Sequence, residues 1–188
     1  CNPTLTNTTV SGNQAHRRGG GLTVINGTFN MNHATVVNNS SSITSFAGGL
    51  HILEPGKVYA KNSIVADNQS ASGDLNCVIE GIAAMTSLDY NLEDANTCRF
   101  NLANDITNTP SDINQLLDNG GPTWTHSMLL SSAALDAIPE GMNGCGDVYT
   151  EDQRSIPRPF DGDGDGTPAC DIGAFESSHK RWDGEAGD

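Results

Sequence analysis

The sequence predicts an all-β fold, a parallel β-helix (solenoid) of about three coils with a disulfide-stapled, loop-rich C-terminal cap. Three observations carry this. Short β-branched runs are bounded by Gly and Asn and lack the i, i+3, i+4, i+7 spacing of helices. The segments Asn7–Asn13, His33–Asn39 and Asn62–Asn68 superpose without gaps at intervals of 26 and then 29 residues, the range of solenoid repeats. Charged residues make up only 17% of the chain while Gly, Asn, Ser and Thr abound, which is not a helical composition.

Residues 1–75 are expected to form the coils. Each copy carries a β-branched run (Thr9 and Val10, Thr35 to Val37, Ile64 and Val65) followed by an asparagine: Asn13, Asn39 and Asn68. Stacked coils place these at one corner, where their amides form a ladder as in cross-β stacks. The tolerance of Asn for left-handed backbone explains the same recurrence as simple turn chemistry. Both roles are structural. The stretches Gly19–Val24 (GGGLTV) and Ala47–Ile52 (AGGLHI) recur between them. Three coils are close to the minimum for a stable stack, and a solenoid leaves open sheet edges that something must cover. Everything after about Asp74 is a candidate to cover the last coil. The first coil, starting at Leu5, has no cap of its own and is expected to meet upstream chain, another copy or a larger surface complex.

Residues 76–105 read as a disulfide-closed insertion and residues 106–188 as the cap. The five cysteines are Cys1, Cys77, Cys98, Cys145 and Cys170, with no C-x-x-C pair, and the histidines are scattered, so zinc has little support. Two disulfides and one odd cysteine fit better and imply an oxidising compartment. Cys77 with Cys98 and Cys145 with Cys170 is one of three ways to pair those four; the first would close a loop for about 3 kcal/mol.

With 9 Lys plus Arg against 23 Asp plus Glu, the net charge of −14 repels polyanions, which sets nucleic acid aside. No apolar stretch approaches the roughly 18 residues of a membrane span. Sequons at Asn7, Asn26, Asn38, Asn39 and Asn68 reflect an Asn/Thr-rich composition.

In "DGDGDGTPACDI" the carboxylates of Asp161, Asp163 and Asp165 fall at positions one, three and five, with Gly166 at the sharp turn of a calcium loop. Thr167 would add a backbone carbonyl and Asp171 a later carboxylate, while Ile172 stands where an EF-hand needs its bidentate Glu. The expected cofactor is a structural Ca2+. The competing reading is a solvated loop in which aspartate and glycine serve only solubility and flexibility.

The residues SIVADN, DLNC and LDYNL, then LLDNGGPTWTHSMLLSSAALDA (Leu116–Ala137) and DQRSIPRPFDGDGDGTPACDIGAFE (Asp152–Glu176), together resemble the C-terminal region of bacterial surface β-helix proteins. These are the choice-of-anchor Q or CSLREA-domain proteins, similar in style to polymorphic outer-membrane proteins. The resemblance covers about Leu5 to Glu176. Ser155, and often Ile138, replace glycines usual in that family, and SSHKRWDGEAGD (Ser177–Asp188) stands where members carry a sorting or membrane anchor. The resemblance implies a right-handed helix, export and surface display, and it implies no reaction.

Candidate catalytic groups are His16, Arg17, Arg18, His33, His51, Lys57 and Lys61, none of which aligns with a recurring acid in the coil register; Trp124 and His126 form a candidate sugar platform. G-x-S-x-G and H-E-x-x-H signatures are absent from the sequence. The expectation is a secreted or cell-surface structural or adhesive module, with no catalytic residue assigned. Its partners are a protein or copy at the open coil edge, or surface glycans, and Cys1 is a candidate lipid anchor. The alternative is a carbohydrate-active β-helix enzyme or glycan-binding module.

Overall fold

The computed structural model describes residues 2–178, and among these no residue is helical. The first coil consists of β1 (Thr4–Ser11), β2 (Gln14–Ala15) and β3 (Leu22–Val24), and the second of β4 (Thr28–Val37), β5 (Ser40–Ser41) and β6 (Leu50–Ile52). The third contains β7 (Lys57–Lys61), β8 (Ile64–Ala66), β9 (Gln69–Ser70), a short β10 (Gly73–Asp74) and β11 (Cys77–Ile79). Beyond it come β12 (Ala84–Ser87), β13 (Leu92–Glu93) and β14 (Ile106–Thr107). Three parallel sheets result. The largest stacks β1, β4, β7 with β8, β12 with β13, and β14; the second stacks β2, β5 and β9; the third stacks β3, β6 and β11.

The chain turns its corners on single left-handed residues. Asn7, His33 and Asn62 (φ 47°, 45° and 52°) occupy one column, and Gly12, Asn38 and Asp67 (φ 69°, 56° and 56°) another. Gly, Asn, Asp and His are the residues that tolerate this backbone, which is why the repeat is written in them. The residue after the second column is the ladder. Asn13 donates through its backbone N (3.0 Å) and Nδ2 (2.9 Å) to Asn39 Oδ1; Asn39 does the same to Asn68 Oδ1, both at 3.0 Å. Asn68 continues to Asn76 Oδ1 at 3.2 and 3.0 Å. The glycine pairs pack beside this ladder: a Cβ on Gly49 would stand 2.5 Å from the Asn76 carbonyl oxygen.

Side chains alternate across the large sheet. Val10, Val36 and Val65 form an inward row with Met31, Ala60, Leu50, Ile52 and Val58 around the coil axis. The neighbouring outward row runs Thr9, Thr35, Ile64 and Leu92, with Val37 and Ala66 one step on. Most of this row is buried as well, beneath Ala134, Ile138 and Ile172 and the Cys145–Cys170 bridge. The sheet is thus covered on both faces, the ordinary condition of parallel sheets.

One expectation changes here. Residues 76–105 are no insertion, because they supply β11, β12 and β13 in register with the coils, Cys77 opposite Leu50 and Leu92 opposite Ile64. The cover of the last coil comes from this region too. Glu93 sits on the inward row, fully buried, and its Oε1 accepts from Thr97 N and Thr97 Oγ1, both at 2.7 Å, while Cys98 N reaches Oε2 at 3.0 Å. Those bonds, the Cys77–Cys98 bridge and buried Phe100 close the core. Residues 108–178, with β15 (Ile113–Leu117), β16 (Thr125–Met128), β17 (Ile138–Pro139) and β18 (Ala169–Cys170), run back along the outside of the large sheet. They reach as far as the first coil, where Asn7 Nδ2 donates to Glu151 O (2.8 Å) and Thr9 Oγ1 to Gln153 Oε1 (2.8 Å).

Asn39 is fully buried and bonded on both sides, whereas Asn13 is exposed. Asn39→Ala removes the acceptor of Asn13 N and Nδ2 and the amide donor to the Val10 and Val37 carbonyls, and is expected to lower stability by about 2–4 kcal/mol in urea unfolding, against under about 1 kcal/mol for Asn13→Ala. Equal losses would remove the ladder from the account.

Candidate functional site

The acidic and basic residues of the Asp152–Glu176 motif converge inside the cap. Arg158 is 4% exposed; its Nη1 donates to Glu176 Oε2 (2.6 Å) and the Asp171 carbonyl (2.8 Å), and Nη2 to the Gly173 carbonyl (2.8 Å). Glu176 also accepts from Phe160 N and Asp171 N, each at 3.0 Å. Burial pushes the Glu176 carboxyl up and Arg158 draws it back; every contact to its oxygens is an N–H donor, an arrangement that fits the carboxylate. Arg154 grips Asp152 Oδ2 through Nε (2.8 Å) and Nη2 (2.7 Å), and its guanidinium lies 3.6 Å from the Phe175 ring centroid. These are charge-assisted bonds between one segment and itself, so they fix its shape and leave little to offer a substrate.

A second polar chain joins this hub to the coils. Asn143 Nδ2 donates to Asn62 Oδ1 (2.7 Å), and Asn62 Nδ2 donates to His33 Nε2 (2.8 Å). His33 is therefore neutral with its proton on Nδ1, buried beside the Asp171 and Gly173 backbone without completing a hydrogen bond to either. Burial, then the Arg158 charge, hold its pKa well below the usual histidine value. Tyr149 stacks edge-on to the ring at 4.8 Å, and Lys61 lies 5.4 Å from the Tyr149 centroid.

The other candidates are dispersed. His51 is buried with Nε2 bonded to Glu80 at 2.7 Å; His16, Arg17 and Arg18 sit on the exposed loop between β2 and β3, and Lys57 begins β7 on the surface. Trp124 is 60% exposed, but His126 is 3% exposed, with Nδ1 donating to the Asn114 carbonyl (2.7 Å) and Nε2 accepting from Ser11 Oγ (2.8 Å). The two do not form a shared platform; His126 pins the β15–β16 hairpin to the first coil.

The acidic loop contributes to the one cluster of carboxylates with cation-ligand chemistry among the described residues, half-buried at Asp136 and Asp161 and exposed at Asp163. One oxygen each of Asp136, Asp161 and Asp163 lie within 4.8 Å of one another. Asp136 was not legible as a partner, being 25 residues from Asp161 and outside any loop spacing. Burial, with Asp163 and Asp161 adding repulsion, raises its pKa, partly offset by the N–H bonds of Asp163 (2.8 Å) and Gly162 (3.2 Å). Asp161 accepts from Gly164 N and Gly166 N, Asp163 from Asp165 N, and Asp165 from Thr167 N, so the carboxylates also build the loop's turns. Asp165 and Thr167 line, with Asp136, Glu140 and Pro139, a cavity of about 390 Å³. Asp171 is elsewhere engaged: fully buried, it accepts from Asp136 N (2.8 Å) and Ser177 N (2.6 Å). Cys1 and residues 179–188 lie outside the described residues, and the lipidation site expected at Cys1 with them.

The chain matches no protein-family model, no curated protein and no solved structure.

His33 ties the cap to the coils, so its titration should be felt in stability. The unfolded-state histidine takes up a proton near pH 6.5 and the folded one does not, so its contribution is present above pH 6.5 and is lost as pH falls, by about 1.4 kcal/mol per unit. His33→Asn, which places a third Asn in the left-handed column, is expected to remove this dependence. Relative to that variant, the wild type should lose about 1–2 kcal/mol between pH 7.5 and pH 5.0 in urea midpoints. A pH-independent difference would place His33 outside the network that holds the cap.

Proposed function

We propose that this chain is a non-enzymatic, structural or adhesive β-solenoid module of the extracytoplasmic space. One observation carries the reading: the outward face of the large sheet, the broadest surface on which coils could build a substrate groove, is buried beneath the chain's own cap. The motif residues that look most chemical, Arg158, Glu176, Asp171 and Asp152, are spent on holding that cover in place. Two disulfides agree with an oxidising compartment, and no helix in the described residues is long and apolar enough to cross a membrane. Secretion or display at a bacterial surface, as in the choice-of-anchor Q proteins that the motifs resemble, is the setting we infer, with the open edge of the first coil as the surface offered to a partner.

Calcium belongs to the same reading. Asp136, Asp161 and Asp163 offer hard oxygens at one point, where a cation would relieve the repulsion that raises the Asp136 pKa. The ion would tie the loop to the β17 side of the cap and supply no reaction.

Two assays test this. Calcium at about ten times its Kd should add about 1.4 kcal/mol, some 3–6 °C in Tm. Asp136→Asn in chelator should be neutral or stabilising, because it removes a crowded charge, and should abolish the calcium response. No Tm change with calcium in the wild type removes the ion from the reading. For the module itself, incubation with acidic and neutral glycans should yield no cleavage. Cleavage that disappears in His51→Ala or Lys61→Ala would establish the carbohydrate-active alternative.

A further inference from the structure

The cap covers the outward side of the large sheet beyond the left-handed column of Asn7, His33 and Asn62. Ahead of that column the outward side of β4, β7 and β12 carries three short rows that face solvent: Asn30, Tyr59 and Thr86; Asn32 and Lys61; Thr28 and Lys57. To these β1 adds only threonines. The inward neighbours Met31, Val58 and Ala60 are fully buried, whereas Lys57 and Thr86 are exposed and Asn30, Asn32, Tyr59 and Lys61 half-buried. Coils stacked on either edge would lengthen this face without covering it.

Its charge is the reverse of the chain's. Acidic residues outnumber basic ones by 23 to 9, yet these rows hold two of the nine cations and no Asp or Glu. Lys57 and Lys61 join no ion pair among the described residues. The acids closest in sequence, Glu54 and Asp89, stand in the turns before β7 and after β12, and Asp89 is bonded through both oxygens to Asn104. The two lysines share one side of β7 four residues apart, about 13 Å along the strand. One small anion cannot span that distance, so a ligand that uses both must repeat its charge along its length. Tyr59 lies between them, and Lys61 also sits 5.4 Å from the ring centroid of Tyr149 at the border of the cap. The amides and hydroxyls of the rows donate to and accept from hydroxyl groups, and the phenol ring offers an apolar face that a sugar ring can cover.

We propose that this face binds an acidic polysaccharide, with carboxylates on Lys57 and Lys61 and a sugar ring against Tyr59. The inference rests on the adhesive-module reading and names its ligand class. The net charge of −14 does not forbid it. Charges farther than about 8 Å are largely screened in physiological salt, and a polyuronate is sparser in charge than duplex DNA, which carries one per about 1.7 Å.

The test titrates the intact protein with polygalacturonate, alginate and hyaluronate in excess chelator, which removes calcium bridging through the Asp161 loop. Calorimetry reads binding, and new reducing ends read cleavage. Saturable binding of at least one polymer is expected, without cleavage, and the methyl-esterified form of that polymer should not bind. Lys57→Gln and Lys61→Gln should each weaken binding about threefold and together about tenfold, the size of one and of two exposed charge contacts. Tyr59→Phe, which keeps the ring, should bind as the wild type does, and Tyr59→Ser more weakly. The proposal is overturned if none of the three polymers binds, if the double lysine variant binds undiminished, or if the esterified polymer binds equally well. Self-association that the double variant loses, in place of glycan binding, would also overturn it by making the acidic surface of a second copy the occupant. The module reading fails separately: binding with new reducing ends would sink that reading and leave the face a site for acidic glycans, whereas absence of both sinks this proposal alone.

Discussion

Everything in this fold depends on the large parallel sheet being buried on both faces. A stack of about three coils encloses a thin core, Val36, Val65, Met31 and Ala60 with the aliphatics of the third sheet. The outward row adds a second core of similar make-up, Ile64, Val37, Ala66 and Leu92 against Ile172, Ile138 and Ala134. Small domains are limited by the apolar area they can remove from water, so doubling the core of one sheet is what lets so short a solenoid stand. The cap is therefore half of the hydrophobic structure, and the disulfides and ion pairs are the means of holding an irregular segment against a regular one.

That division explains where the polar groups go. The cap has few ladder hydrogen bonds of its own, so its backbone and charges are satisfied by side chains: Arg158 gathers the carbonyls of Asp171 and Gly173, Glu176 receives the N–H groups of Phe160 and Asp171, and Asp152 those of Arg154 and Glu176. Leaving any of these buried groups unpaired would cost more than the bond itself contributes. Where the cap meets the coils, it engages the left-handed column through Asn143 and Asn62, and lays Ala174 N on Thr35 Oγ1 at 2.9 Å. Positions that bend the coil are thus the positions that anchor its cover.

The coils were legible because they are local and repeat: Asn13, Asn39 and Asn68 stand at a fixed offset from β-branched runs, and stacking is a consequence of the period. The pairing of Cys77 with Cys98 was within reach of loop length. The continuation of the coils past residue 75 was hidden, because the ladder steps from Asn68 to Asn76 across only eight residues and the interval of the repeat is lost. The placement of the cap was hidden for a different reason. Its contacts with the first coil span up to 144 residues, Asn7 to Glu151 and Thr9 to Gln153, and no periodicity encodes so distant a partner. Asp136 went unseen beside Asp161 and Asp163 on the same ground, whereas Asp171, apt by spacing, is drawn into the interior by the N–H groups of Asp136 and Ser177.

The most direct test of the two-faced sheet is native-state hydrogen exchange that compares β8, at the centre of the sheet, with residues 172–176 of the cap. If the outward row is a true core, both open together, and the amides of Ile64–Ala66 and of Ile172–Glu176 exchange with the same free energy, equal to that of global unfolding. Exchange of the cap at a free energy several kcal/mol lower, with β8 still protected, would mean that the coils stand alone and the cap is only a detachable cover.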